Sequence, residues 1–267
     1  MRNYLSIAVL LAGNMAMGQL DACPPESRPK ALVYRKPAAC NGCPESVAAL
    51  LRSSSSHFDV QYAGPNENID VKEETLREVQ LYAQPGGGSL KPAWDHTKKY
   101  KKAIRDFVAR GGRYAGFCVG AYMAGNSPDF DTPGFDILPP RSITGEEIVQ
   151  PGAQVKNSRN TIIQVNWHFQ TGPEMGELQS GRWLFFQDGA VIELPQNASA
   201  IILGTYLSNN NIAASVTPFG NVWVGVVGPR PEADGSWYRP YDLINPDGIR
   251  FDIGYDFVET IMAQSSE

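Results

Sequence analysis

The order of apolar runs in the first 117 residues leaves few folds open. "ALVYR" from Ala31, "FDVQY" from Phe58, "LYAQ" from Leu81 and "RYAGF" from Arg113 each read as a short strand. Helical patterns lie between them. "PESVAALL" opens with Pro44 at a helix start and sets Val47, Leu50 and Leu51 on one face. "VKEETLREV" reads as a helix or turn. A long helix is expected from about Pro92 to Arg110, burying Ile104, Phe107 and Val108 and stopped by Gly111-Gly112. Strand alternating with helix, four times over, predicts a parallel sheet covered on both faces. The second half is less regular. "NTIIQVNW", "RWLFFQ", "AVIEL", "AIILGTYL", "IAASVTP" and "NVWVGVVG" are β-like runs separated by Gly, Pro and Asn. They predict hairpins and further sheet strands, a β-rich excursion from about Ser127 to Gln187, and a final helix from about Phe251 to Ala263. No repeat or linker divides the chain, so residues 19–267 read as one α/β domain.

The N-terminus has a different character. Arg2 precedes an apolar stretch from Leu5 to Ala12, and Ala16-Met17-Gly18 forms a small-x-small site. Residues 1–18 therefore read as a secretory signal peptide, too short in its apolar part to span a bilayer. A secreted protein with no membrane attachment after cleavage is expected. The net charge of -5 gives no electrostatic reason to bind nucleic acid or anionic lipid. The one basic cluster, Lys98 to Lys102, reads as the wet face of the helix it adjoins.

Secretion changes how the four cysteines are read. Cys40 and Cys43 form "CNGC", and no second Cys or His pair has the spacing to complete a zinc site. A structural disulfide involving this pair, with Cys23 as a further candidate, is expected, and no metal or cofactor is called for. Asn197-Ala198-Ser199 is a glycosylation acceptor.

Cys118 stands apart from the other three. It lies between Gly116 and Gly120 where the fourth strand turns into a helix. Such a turn holds a nucleophile in a strained conformation and needs small neighbours. The following helix is expected to aim its N-terminal amides at the sulfur and lower the thiol pKa. One strand earlier, "QPGGG" offers the amides of Gly86, Gly87 and Gly88, which with that of Val119 form a candidate oxyanion hole. The alternative is a buried small hydrophobe, with glycines that only ease packing.

"LYAQPGGG", "AIRDFVARGGRYAGFCVGAYMAG" and "VVGPRPEADGSWY" together resemble the biotin-protein ligase N-terminal domain family, within the class I glutamine amidotransferase-like superfamily. "ALVYRKPAACNGCPESVAALL" is similar to its secreted members, and the resemblance spans roughly Lys30 to Tyr238. It implies a flavodoxin-like three-layer α/β/α sandwich with a mostly parallel sheet. It also implies a Cys, His, Glu triad whose last two members come from a His-Pro-Glu motif after a late strand. Here that segment reads Arg230-Pro231-Glu232. Glu232 is retained, but arginine stays protonated and cannot shuttle a proton to a leaving group.

Of the three histidines, His57 reads as a surface residue and His96 as a solvated helix residue. His168 is the best substitute base. Two functions compete: an active thiol hydrolase or amidase acting on a small amide or peptide, and an impaired relative that keeps the pocket for a small molecule or protein. A redox-responsive Cys118 is a third, weaker reading. Arg230 favours the impaired relative. Biotin ligation and glutamine-driven synthesis each need a domain for which this chain has no room, and nucleic-acid binding lacks both charge and motif.

Overall fold

Side chains along β1 (Lys30–Tyr34) alternate between two apolar layers. Ala31 and Val33 face one layer, Leu32 and Tyr34 the other, and all four are buried. A strand apolar on both faces must be covered on both, which fixes a three-layer arrangement. The computed structural model describes residues 28–263, so residues 1–18, read from the sequence as a signal peptide, and the Cys23 candidate lie outside the described residues.

After β1 come α1 (Cys43–Ser53), β2 (Asp59–Ala63), α2 (Glu73–Leu76) and β3 (Leu81–Gln84). Next are α3 (Leu90–Thr97), α4 (Lys101–Ala109), β4 (Arg113–Phe117) and α5 (Val119–Ala124). The second half supplies β5 (Ile143–Glu146), β6 (Thr161–His168), β7 (Leu178–Phe186), β8 (Ala190–Glu193), β9 (Ile201–Tyr206), β10 (Ile212–Phe219) and β11 (Val222–Val227). The short α6 (Gly235–Tyr238) and the final α7 (Asp252–Ala263) complete the order.

One hydrogen-bonded sheet runs β2-β1-β3-β4-β11-β10-β9-β6-β7, with β8 paired to β10 and β5 to β8. The first five of these strands are parallel, and the rest extend the sheet antiparallel. The expected flavodoxin-like α/β sandwich is thus present, and the β-rich second half is continuous with its sheet. The packing layer containing Val47, Leu50 and Leu51 of α1 and Phe257 and Ile261 of α7 covers one face. The other layer contains Trp94 of α3, Ile104 and Phe107 of α4, and Met123 of α5. Among the described residues no helix is long and apolar enough to cross a membrane.

The expected helix from Pro92 to Arg110 is broken. A 3₁₀ turn at Lys98–Tyr100 separates α3 from α4. Thr97 is buried, and its hydroxyl donates back to the carbonyl of Ala93 at 2.8 Å. That bond satisfies the hydroxyl within the helix and commonly bends it. Lys98, Lys99 and Lys102 are exposed; Lys98 of the turn pairs with Asp95 of α3, and Lys102 with Asp106 of its own helix α4.

Phe257 ties α7 to the sheet centre. It is fully buried, edge-on to Phe117 with ring centroids 5.3 Å apart. Phe257→Ala should cost about 3–5 kcal/mol, read as a lowered midpoint in urea unfolding with little change in slope.

Candidate active site

Strand β4 ends at Phe117, and the chain turns at Cys118 with φ 50° and ψ -108° before α5 begins. Positive φ on a non-glycine residue is costly. Neighbouring contacts hold it there. The Cys118 amide donates to the Val227 carbonyl of β11 at 2.8 Å, and the Tyr114 hydroxyl donates to the Gly120 carbonyl at 2.7 Å. A Cβ on Gly120 would collide with the Gln84 carbonyl, and one on Gly116 would sit 2.5 Å from the Gly120 carbonyl. The two glycines therefore do what the packing alternative requires and what a nucleophile elbow requires at once: helix and sheet approach closely, and the cysteine is raised on the turn.

Cys118 is 3% exposed and lies at a cavity of about 310 Å³. Gly87, Gly88 and Val119 share the cavity wall. Gly86 does not line it. It packs flat against the Arg230 guanidinium, where any Cβ would overlap the side chain. The opposite wall is the turn between β7 and β8. The Cys118 thiol donates weakly to the Gln187 carbonyl at 3.7 Å, and the Tyr122 hydroxyl donates to the Asp188 carbonyl at 3.2 Å. Asp188 and Glu146 also face the cavity. Burial, and then the charge of Asp188, push Glu146 up to about 7. Burial pushes Asp188 up as well, with Glu146 opposing. Sequence reasoning missed this acidic pair. The one available signal was the Asp188-Gly189 turn, where Asp188 adopts φ 50° and Gly189 leaves room for the crossing carbonyl of Gly228.

Parallel pairing of β11 with β4 sets Val227 beside Phe117, so the segment following β11 is delivered to the elbow. Arg230 is 2% exposed, and its amide donates to the Phe185 carbonyl at 2.9 Å. Its Nη1 donates to Cys43 Sγ at 3.2 Å and lies 3.7 Å from Glu232 Oε1. The guanidinium carbon sits 5.2 Å from the centre of the Trp237 ring. Among the described residues neither carboxylate oxygen of Glu232 finds a hydrogen bond, and burial raises its pKa to about 7 against the pull of Arg230.

The expected low thiol pKa is not what this environment produces. Burial pushes the Cys118 thiol up, the charge of Arg230 pulls it back, and Glu232 adds to the rise. Helix α5 has only six residues, so its dipole is small, and the Val119 amide is its main contribution to the sulfur.

Among the described residues no histidine lines the cavity. His57 and His96 are exposed. His168 is exposed at the far end of β6, whose other end, Thr161, pairs with Phe186 beside the cavity. At about 3.3 Å per residue, the strand carries His168 more than roughly 20 Å from that end. Cys40 and Cys43 are joined as a disulfide with Cα atoms 5.3 Å apart, and Cys118 is the free cysteine among the described residues. Asn197 is exposed.

With this geometry in place, comparison with known proteins adds a family likeness. Residues 30–144 match the family described as biotin-protein ligase, N terminal. That segment resembles the family and covers less than half of the chain. The chain's fold is that of the class I glutamine amidotransferase-like proteins. A glutamine amidotransferase superposes with TM-score 0.53 at 11% identity, over 79% of this chain and 95% of that one. A Thermoplasma acidophilum protein described as part of a GMP synthase gives 0.54 at 14%, over 88% and 95%. A ThuA-like protein from Bacteroides uniformis gives 0.52 at 15%, over 93% and 97%. These likenesses concern fold alone. No curated protein matches the sequence. Within this glutamine amidotransferase-like fold, the family match ends before β6, so Arg230 and Glu232 lie outside the matched segment.

Two measurements follow. The rate of Cys118 alkylation against pH should inflect above the ordinary thiol value of about 8.5; Glu232→Gln should move the inflection down and Arg230→Met should move it up. Stability should also depend on Glu232. A buried carboxyl whose pKa rises from 4.5 to about 7 on folding holds its proton longer in the folded state. Stability is therefore lost as pH rises from about 4.5 through 7, and Glu232→Gln should flatten that slope in urea unfolding at a series of pH values.

Proposed function

We propose that this protein is an exported, glutamine amidotransferase-like protein that uses the Cys118 cavity to hold a small amine- or amide-bearing ligand and turns it over poorly. The observation that carries this reading is a free cysteine on a positive-φ elbow, at a cavity that the described residues line with acids and amides but no histidine. A sulfur held on a strained turn at the edge of a cavity is placed to meet a ligand. Covalent acyl transfer also needs a group that takes a proton and returns it, and Arg230 cannot do so at ordinary pH. Beside the thiol, Glu146, Asp188 and the Gln187 carbonyl present acceptors, which suits a ligand rich in N–H donors. The Cys40–Cys43 disulfide and the signal-like residues 1–18 support export. Exposure of Asn197 suits a glycan there.

A second reading rests on one observation. Glu146 lines the same cavity as Cys118, where burial and the Asp188 charge push its pKa up to about 7, so it, rather than His168, is the side chain placed to exchange a proton during hydrolysis.

Both readings are tested with a panel of small amides, esters and primary amines. On the binding reading, hits slow iodoacetamide labelling of Cys118 while wild-type turnover stays near background, and Arg230→His raises turnover. Brisk wild-type hydrolysis that Glu146→Gln abolishes would establish the second reading and sink the first. Brisk hydrolysis unaffected by Cys118→Ser would sink both.

A further inference from the structure

The Cys40–Cys43 disulfide sits in surroundings that a purely structural crosslink does not require. Cys40 is half-buried and borders a cleft of about 290 Å³ with Phe185, Trp237 and Tyr241, a space that a small molecule can enter. Cys43 is fully buried and is the first residue of the eleven-residue helix α1, at the positive end of its dipole, which favours negative charge. Arg230, 2% exposed, points its Nη1 at Cys43 Sγ from 3.2 Å, and its Nε has no hydrogen-bond partner among the described residues. A buried cation aimed at a neutral disulfide sulfur gains little. The same cation aimed at a thiolate gains a great deal.

We propose that Cys40–Cys43 is an exchangeable disulfide, opened by a small thiol that attacks Cys40 while Cys43 leaves as a thiolate held by Arg230 and the start of α1. In the first step an incoming thiolate bonds to Cys40 Sγ. The Cys40–Cys43 bond breaks, and its electron pair departs on Cys43. In the second step another thiolate attacks the external sulfur of the mixed disulfide, releasing a small-molecule disulfide and a Cys40 thiolate that takes a proton from water. Two thiolates are oxidised and one protein disulfide is reduced; the reverse sequence closes it. The better the leaving thiolate is stabilised, the faster the first step and the more favourable the opening. The inference stands whether or not the Cys118 cavity turns over a substrate.

The opening has a second consequence, because Arg230 serves more than one anion. With the disulfide closed, its charge favours the Cys118 thiolate and balances Glu232. Once Cys43 carries negative charge, the guanidinium is shared with it, and Cys118 becomes harder to ionise.

The test equilibrates the full chain in glutathione buffers of graded reduced-to-oxidised ratio, without denaturant. Acid quenching, alkylation and peptide mass spectrometry then read each cysteine. Reversible opening with the fold intact is expected, and the alkylation inflection of Cys118 should move to higher pH in the opened protein. Arg230→Met should lower the equilibrium constant for opening about tenfold or more, the effect of removing one close opposite charge from a thiolate. If that variant fails to fold, Glu232→Gln decides. Removing the competing anion should make opening more favourable. A disulfide that stays closed in reduced glutathione until denaturant is added overturns the proposal. So does an equilibrium unmoved by whichever of the two variants folds.

Discussion

A guanidinium buried to 2% exposure organises this molecule's centre. Removing such a charge from water is expensive, and only well-placed partners offset the cost. Glu232 and the Trp237 ring are those partners for Arg230, while Cys43 Sγ and the flat backbone of Gly86 close round its other sides. These residues come from distant parts of the chain. The helix after β1, the loop after β3 and the segment after β11 are all drawn to one point. The main-chain bond from Arg230 to Phe185 adds the end of β7. The antiparallel extension of the sheet therefore returns to the parallel half at this residue.

That convergence gives the site its chemistry. The turn between β4 and α5 presents a thiol, and the residue set behind it is cationic rather than basic. Glu232 is held with a pKa near 7 by burial, and Cys118 is pushed up by the same cause. Both effects come from low local polarity, and Arg230 opposes both. A histidine in its place would have moved protons. An arginine sets a field instead, felt at one sulfur of the disulfide and at the free thiol.

Much of the frame was legible in the residues. Four strand–helix alternations carried the parallel half, because a strand apolar on both faces has few ways to be covered. The elbow was legible because Gly-x-Cys-x-Gly combines a strained turn with the small neighbours that close packing needs. The broken helix was not, since Thr97 folds its hydroxyl back only once burial leaves it no other partner. Nor were Glu146 and Asp188. They lie at the end of β5 and just after β7, strands whose pairings link distant positions, and nothing local marks either as facing Cys118.

The sequence by itself determined the elements, the parallel arrangement, the glycine-flanked turn at Cys118 and the presence of an arginine at position 230. These are local facts, written in periodicity, glycine placement and residue identity. Tertiary structure decided what surrounds them. It put His168 at the wrong end of a strand, brought two acids to the thiol, turned Gly86 from a cavity wall into a bed for a guanidinium, and raised a thiol pKa expected to fall. The physical reason is that burial and electrostatic environment depend on which distant segments meet, and a short window of sequence contains no record of that meeting.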